Sequence, residues 1–176
     1  MTIKRYNKIL VGTDGSSLAG PTVARAAALA ASENAELVIV CAYTTMTARE
    51  EASLSSVPAQ SVKLGQVPGK ASASQALDEA MSIAERYGAH VAAAILMDAE
   101  PAAALLETGK QFLVDAIVIG AIRDTSIVGR LLGTVASEVV RRAHCDVLVV
   151  RPAPGAPEPN VAEDVTVEND SNSTEE

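Results

Sequence analysis

Aromatic side chains are nearly missing from this chain. It has no Trp, three Tyr and one Phe in 176 residues, so a core must be assembled from Ala, Val, Leu and Ile. Cysteine is scarcer still, with two residues. Cys41 sits inside one apolar run and Cys145 beside another, a spacing that fits neither a disulfide framework nor a metal site and suits buried thiols of a cytoplasmic protein. Long hydrophobic runs are absent too. Lys4 and Arg5 precede only Ile9, Leu10 and Val11 before polar residues intervene, too short for a signal-peptide core, and no run approaches the roughly 20 residues of a membrane span. With only His90 and His144, on different predicted elements, there is no catalytic triad and no metal cluster, and no G-x-S-x-G elbow supplies a hydrolase nucleophile.

Positive charge is missing from one region in particular. The formal net charge is −8, from 22 acidic and 14 basic residues, yet seven of the acids fall in residues 153–176, where there is no Lys or Arg. The rest of the chain is close to neutral. A near-neutral body has no electrostatic footprint for nucleic acid or anionic lipid, which excludes both as primary partners. The acidic stretch, preceded and punctuated by Pro152, Pro154, Pro157 and Pro159, buries too little to order itself and reads as a disordered tail.

Hydrophobic residues nevertheless make up 48% of the chain. Five short apolar runs recur, Ile9 to Val11, Leu37 to Val40, Val91 to Leu96, Ala116 to Ile119 and Val147 to Val150. None alternates, so all five read as strands buried on both faces. Helical periodicity lies between them. Ala19 to Ala31 follows the candidate caps Ser16 and Ser17; a second helix carries Leu77, Ala80, Met81 and Ala84 and stops at Gly88. A third begins at Pro101 and carries Leu105, Phe112 and Leu113, and a fourth turns Leu132, Val135, Ala136, Val139, Val140 and Ala143 to one side, with Glu138 and Arg142 opposite. Strict alternation of strand and helix forces parallel pairing, so the expected fold is α/β, a doubly wound, five-stranded, Rossmann-like parallel sheet with helices on both faces. It occupies residues 1–152, with 44–70 as a mobile insert or lid and 153–176 as the tail.

In open parallel sheets ligands bind beyond the carboxyl ends of the strands, where strand order reverses. Two loops compete for that place. Gly12-Thr13-Asp14-Gly15-Ser16 follows the first strand and offers a carboxylate; Gly120 to Thr134 follows the fourth and runs into a helix start whose backbone N–H groups favour an anion. A carboxylate for hydroxyl or amine donors beside amides for phosphates suits a nucleotide. The bland alternatives are that Asp14 only caps its turn, that Gly133-Thr134 is only a capped helix entry, and that Arg123 is a solvated loop charge. Gly15 to Thr22 echoes a Walker loop in its glycine spacing, but Pro21 stands where the lysine would be.

Lys8-Ile9-Leu10-Val11-Gly12-Thr13-Asp14-Gly15-Ser16 and the Gly120 to Thr134 segment together resemble the universal stress protein family, over roughly residues 6–152. Gly120, Gly133 and Thr134 satisfy the pattern G-x2-G-x9-G-[S/T] of its nucleotide-binding members, while Arg123 holds the place of the second glycine. There it either obstructs the loop or clasps a phosphate from the side. The resemblance implies strand order 3-2-1-4-5. It also implies an adenine nucleotide, ATP, AMP or cyclic AMP, with Mg present only if the nucleotide carries it. Thr13, Asp14 and the backbone of Val40 match the base and ribose positions, and Gly120, Ala121, Gly133, Thr134 and Val135 the phosphate positions. It further implies a homodimer formed through the last strand, Val147 to Arg151, and a cytoplasmic sensor or regulator, not an enzyme, with at most slow incidental ATP hydrolysis. Two other readings compete: a dimeric scaffold of the same fold that has lost the nucleotide and acts on an unknown protein partner, and an adenylyl-forming enzyme.

Overall fold

The computed structural model describes residues 5–47, 65–121 and 132–151. In chain order the elements are β1 (Lys8–Thr13), α1 (Ala19–Glu33), β2 (Glu36–Thr44), β3 (Val67–Pro68), α2 (Lys70–Arg86), β4 (His90–Asp98), α3 (Pro101–Gln111), β5 (Ala116–Gly120), α4 (Thr134–Arg142) and β6 (Asp146–Val150). All strand pairs are parallel. The five longer strands lie in the order β4-β2-β1-β5-β6, which over the five apolar runs is the expected 3-2-1-4-5, and β3 adds a two-residue sixth strand at Tyr43 and Thr44 of β2.

Among the described residues each face of the sheet carries two helices. On one, Ile9, Val11, Leu37, Ile39 and Val118 pack against α1 and α2; on the other, Leu10, Val38, Val40, Ile117 and Ile119 pack against α3 and α4. This is strand alternation on a sheet whose central strands have no solvent face. Burying one such Ile, Leu or Val contributes about 1.5–3 kcal/mol. With so few aromatics, close approach of helix and sheet compensates: α1 turns Ala19, Thr22, Val23, Ala26, Ala27 and Ala30 inward, a helical stripe that is mostly methyl groups.

Several local expectations need correction. The runs in β4 and β6 are not buried on both faces: as edge strands they alternate between exposed and half-buried residues. Neither Ser16 nor Ser17 caps α1, whose N-cap is Leu18 without a side-chain bond, because the Asp14 carboxylate already holds the Ser16 N–H and tightens the turn one step earlier. Leu113 lies outside α3, in a left-handed turn (φ 52°) and 83% exposed. Val140, placed on the inward stripe of α4 by its spacing, is 47% exposed because α4 packs at the margin of the sheet. Within 44–70, Thr44 ends β2, Val67 is buried and Lys70 begins α2, while 48–64 lie outside the described residues, as does the 153–176 tail. The stop of α2 at Gly88 holds: the helix ends at Arg86 and Gly88 adopts φ 75°.

At the amino edge of the sheet, Asp115 ties three strands together. Its Oδ2 accepts the N–H groups of Asn7 (2.7 Å) and Lys8 (3.1 Å), its N–H donates to Lys8 C=O, and its C=O accepts the Asp146 N–H. Asp115→Ala removes the acceptor for two strand-entry amides. It is expected to lower the urea midpoint by the equivalent of about 1–3 kcal/mol with an unchanged m-value, whereas an unshifted midpoint makes the bonds solvent-replaceable.

Candidate nucleotide cleft

The strand order reverses between β1 and β5, whose helices leave toward opposite faces, so a crevice opens where their carboxyl ends meet. Pairing runs from Ile9–Ala116 to Val11–Val118 and stops two residues short of each strand's end, which leaves Thr13 and Gly120 flanking an unpaired gap. Parallel strands lie about 4.8 Å apart, so the loops after them are close neighbours. Val40 on β2 pairs with Gly12, faces the α3/α4 side and is buried among that side's core residues.

The helix that enters from the second loop starts bare. Gly133 is the N-cap of α4, with no side-chain cap and no acidic residue in the first turn, and the first intrahelical bond is Ser137 N–H to Gly133 C=O. The N–H groups of Thr134, Val135 and Ala136 therefore have no helical acceptor and carry the positive end of the dipole. Gly133 has φ −60° and ψ 163°, a conformation open to any residue, so the backbone does not demand glycine there. Val135 packs at the rim of the α3/α4 core, where the returning stem of the 44–70 stretch meets it. A Cβ built on Gly65 (φ 81°) would lie 3.6 Å from Pro101 and 3.7 Å from Val135 Cγ2. Gln66 fixes that stem by donating from Nε2 to the carbonyls of Tyr43 (3.1 Å) and Ala99 (2.9 Å), and Thr45 bonds to Asp98 at the outgoing end. Sequence reasoning missed this clamp, since two residues of β3 are too few to show a period.

The anticipated residues divide between the two sides of the sheet. Val40 and Val135 lie on the α3/α4 side. Asp14 follows β1 and spends one carboxylate oxygen on the Ser16 N–H (3.0 Å), so the turn-capping role is real and leaves Oδ2 for another partner. Thr13, 7% exposed, turns instead toward α1 and α2, where with Gly15, Ser16, Val23, Ala76 and Glu79 it lines a small open groove. Gly120 is glycine for a packing reason: a Cβ there would meet Leu18 Cδ2 and Thr22 Oγ1, each at 3.1 Å. Ala121 is buried and donates its N–H to Val150 C=O (2.8 Å). Arg123 lies outside the described residues, and among those residues no group of His, Cys, Asp and Glu is arranged to hold a metal ion.

The universal stress protein family model matches residues 5–151 of the chain. The chain belongs to that family. Universal stress protein Rv1636 of Mycobacterium tuberculosis is 34% identical over 146 residues, which cover 82% of this chain and 96% of the relative. Universal stress protein MJ0531 of Methanocaldococcus jannaschii is 29% identical over 147 residues, 83% of this chain and 82% of that protein. Among solved structures, a universal stress protein in complex with cAMP superposes with a TM-score of 0.61 at 31% identity, covering 84% of this chain and 98% of the other. The doubly wound sheet is thus a universal stress protein fold.

The two thiols of this family member are poor nucleophiles. Burial, assisted by the nearby Asp14 charge, pushes the fully buried Cys41 up to about 12, and burial followed by Asp146 also raises Cys145, which is half-buried. At pH 8 iodoacetamide is expected to modify Cys145 slowly and Cys41 only after unfolding, read by peptide mass spectrometry; prompt labelling of Cys41 in folded protein would contradict the packing. Because the folded state holds the Cys41 proton more tightly than the unfolded chain, whose thiol titrates near 9.0, this contribution to stability is complete below pH 9 and disappears as pH rises toward 12.

Proposed function

We propose that this universal stress protein binds an adenine nucleotide in the β1–β5 crevice and works as a cytoplasmic, dimeric sensor or regulator, without a catalytic centre. The observation that carries the reading is the convergence of Asp14 and the Gly120–Ala121 strand end at one edge of the sheet, where α4 also begins with amides that have no helical acceptor. Asp14 and the Val40 backbone, with Thr13 behind them, receive base and ribose. Gly120, Ala121, Gly133, Thr134 and Val135 receive phosphate, and Arg123 stands in the intervening loop. A glycine at position 133 that its own dihedrals do not require fits a ligand passing close to the backbone. The cAMP held by the 31% identical structure supports an adenine nucleotide, and ATP and AMP share the same recognition elements. Magnesium enters only with a nucleotide that brings it.

Dimerisation uses β6. It is an edge strand bonded to β5 along Asp146 to Val150, and Leu148 on it is 41% exposed. No helix among the described residues is long and apolar enough to cross a membrane. The scaffold reading is less favoured because, among the described residues, no side chain caps the helix start at the switch-point crevice, an arrangement that suits an anion-binding site.

Isothermal calorimetry with ATP, AMP and cAMP, together with mass spectrometry of any small molecule retained on purification, tests the proposal. Heat with at least one of the three is the expected result; none with all three at millimolar ligand, and an empty protein on purification, would overturn it.

A further inference from the structure

One side chain ties the carboxyl edge of the sheet to the first turn of α4. Gln66, half-buried, spends both N–H donors of its amide, on Tyr43 C=O at 3.1 Å and on Ala99 C=O at 2.9 Å. The two acceptors stand at the ends of neighbouring strands, since Tyr43 pairs with Asp98 and Ala99 follows it. On the other side of Gln66 the chain is pinned as well, by the pairing of Val67 and Pro68 with Tyr43 and Thr44 and by the Gly69 N–H to Thr44 C=O bond at 3.1 Å. Gly65 is therefore placed by Gln66, and it is placed against α4. At φ 81°, a Cβ on it would lie 3.7 Å from Val135 Cγ2 and 3.6 Å from Pro101 at the start of α3. The helix needs such a stop: of its nine residues only Ala136 and Val139 are buried, so core packing fixes it weakly and its first turn depends on contacts at the rim, where Val135 sits.

We propose that Gln66 is a positioning residue of the nucleotide cleft. Through Gly65 and Val135 it sets how far the first turn of α4 stands from the end of β2, and with it the spacing between the part of the cleft that receives the base and the part that receives phosphate. The proposal rests on the nucleotide reading of the crevice and adds to it a residue that touches no ligand. Two hydrogen bonds from one planar amide fix its direction as well as its place, which a single contact from a flexible chain does not. A ligand that spans both parts of the cleft needs the spacing; one that ends at the ribose does not. A change at Gln66 therefore separates phosphorylated ligands from adenosine, whereas a general loss of packing weakens all of them alike.

Gln66→Met keeps the length of the side chain and removes both donors. The full chain and its Gln66→Met, Val135→Ala and double variants are titrated by calorimetry with adenosine, cAMP and ATP, and the melting temperature of each is recorded. Gln66→Met is expected to weaken cAMP and ATP roughly three- to thirtyfold and adenosine by less than about twofold. The two substitutions should be non-additive, so that Gln66→Met costs little more once Val135→Ala has removed the contact. In the free protein the amide resonances of Thr134 to Ala136 should move in Gln66→Met, which reads the place of α4 without a ligand. Equal losses for adenosine and the phosphorylated ligands would overturn the proposal, and so would unchanged affinities or additive losses. If Gln66→Met does not fold, Gly65→Ala tests the same contact, because alanine is strained at φ 81° and shifts the backbone that faces Val135; the same separation of adenosine from cAMP and ATP supports the role, and its absence overturns it. No binding of any of the three ligands by the parent chain removes the nucleotide reading itself, and the positioning role with it, even where the α4 amides move.

Discussion

Gly133→Asp is expected to weaken binding of every anionic nucleotide by about a hundredfold while leaving the protein as stable as before, or slightly more so. The N-cap dihedrals of Gly133, φ −60° and ψ 163°, are those an aspartate adopts at the start of a helix. Its carboxylate would accept one of the unsatisfied amides of α4 and sit at the positive end of the dipole. The two together contribute about 0.3–1 kcal/mol relative to glycine. The same carboxylate occupies the place proposed for phosphate. A unit charge about 6 Å away at an effective dielectric of about 20 costs roughly 3 kcal/mol, near a hundredfold in affinity. Opposite signs on stability and binding make the variant diagnostic. Calorimetric titration beside a thermal melt reads both, and a variant that binds cAMP or ATP as the parent does would remove the start of α4 from the site. Gly133→Ala is the uncharged control: alanine caps a helix less well than glycine, so stability falls slightly instead of rising, and binding falls only insofar as the ligand passes within contact of a Cβ.

How much of this was legible in the sequence follows from which interactions are local. β1, β2 and β5 were visible because burial on both faces makes an unbroken apolar run, β4 and β6 because they are apolar even though partly exposed, and the helices because stripes such as those of α1 and α2 hold a 3.6-residue period over several turns. Strand order needed the family resemblance, since no local pattern in Val147 to Val150 says that it lies beside Ala116 to Ile119. The misplacements share a physical origin. Val140 and the outward residues of β4 look interior by composition, yet the sheet ends there and, among the described residues, no further layer covers them. Leu113 continues the spacing of α3, but the chain must reverse into β5 and does so through a left-handed residue. At the site, the glycines and Asp14 were readable from their spacing. That the Gly120 gap is occupied by Leu18 and Thr22, that Thr13 points away from Val40, and that Gln66 clamps two carbonyls are tertiary facts with no trace in the local pattern. Asp115 had a signal, an acidic residue immediately before an apolar strand, but such a residue is as common in a solvated turn.

The contact at Gly120 joins fold and site closely enough for one substitution to report on both. Gly120→Ala is expected to destabilise the protein by about 1–3 kcal/mol, because the new methyl meets Leu18 Cδ2 and Thr22 Oγ1 at 3.1 Å, close enough that these neighbours must give way by a few tenths of an ångström. Relief by sliding is difficult on both sides. Thr22 is held by its own hydroxyl bond to Leu18 C=O (2.7 Å), and Gly120 is anchored by its pairing with Val150. The displacement therefore goes into the first turn of α1, and through the Ala19 N–H to Ser16 C=O bond into the turn that holds Asp14. Nucleotide affinity should fall with stability although alanine removes no ligand contact. Leu18→Ala opens the space that the new methyl needs. The double variant Gly120→Ala with Leu18→Ala should then be more stable than the sum of the single changes requires, with a coupling of about 1 kcal/mol or more and partial recovery of binding. Strict additivity in the urea midpoints would mean that Gly120 and α1 do not press on each other, and that the glycine stands there for the ligand alone.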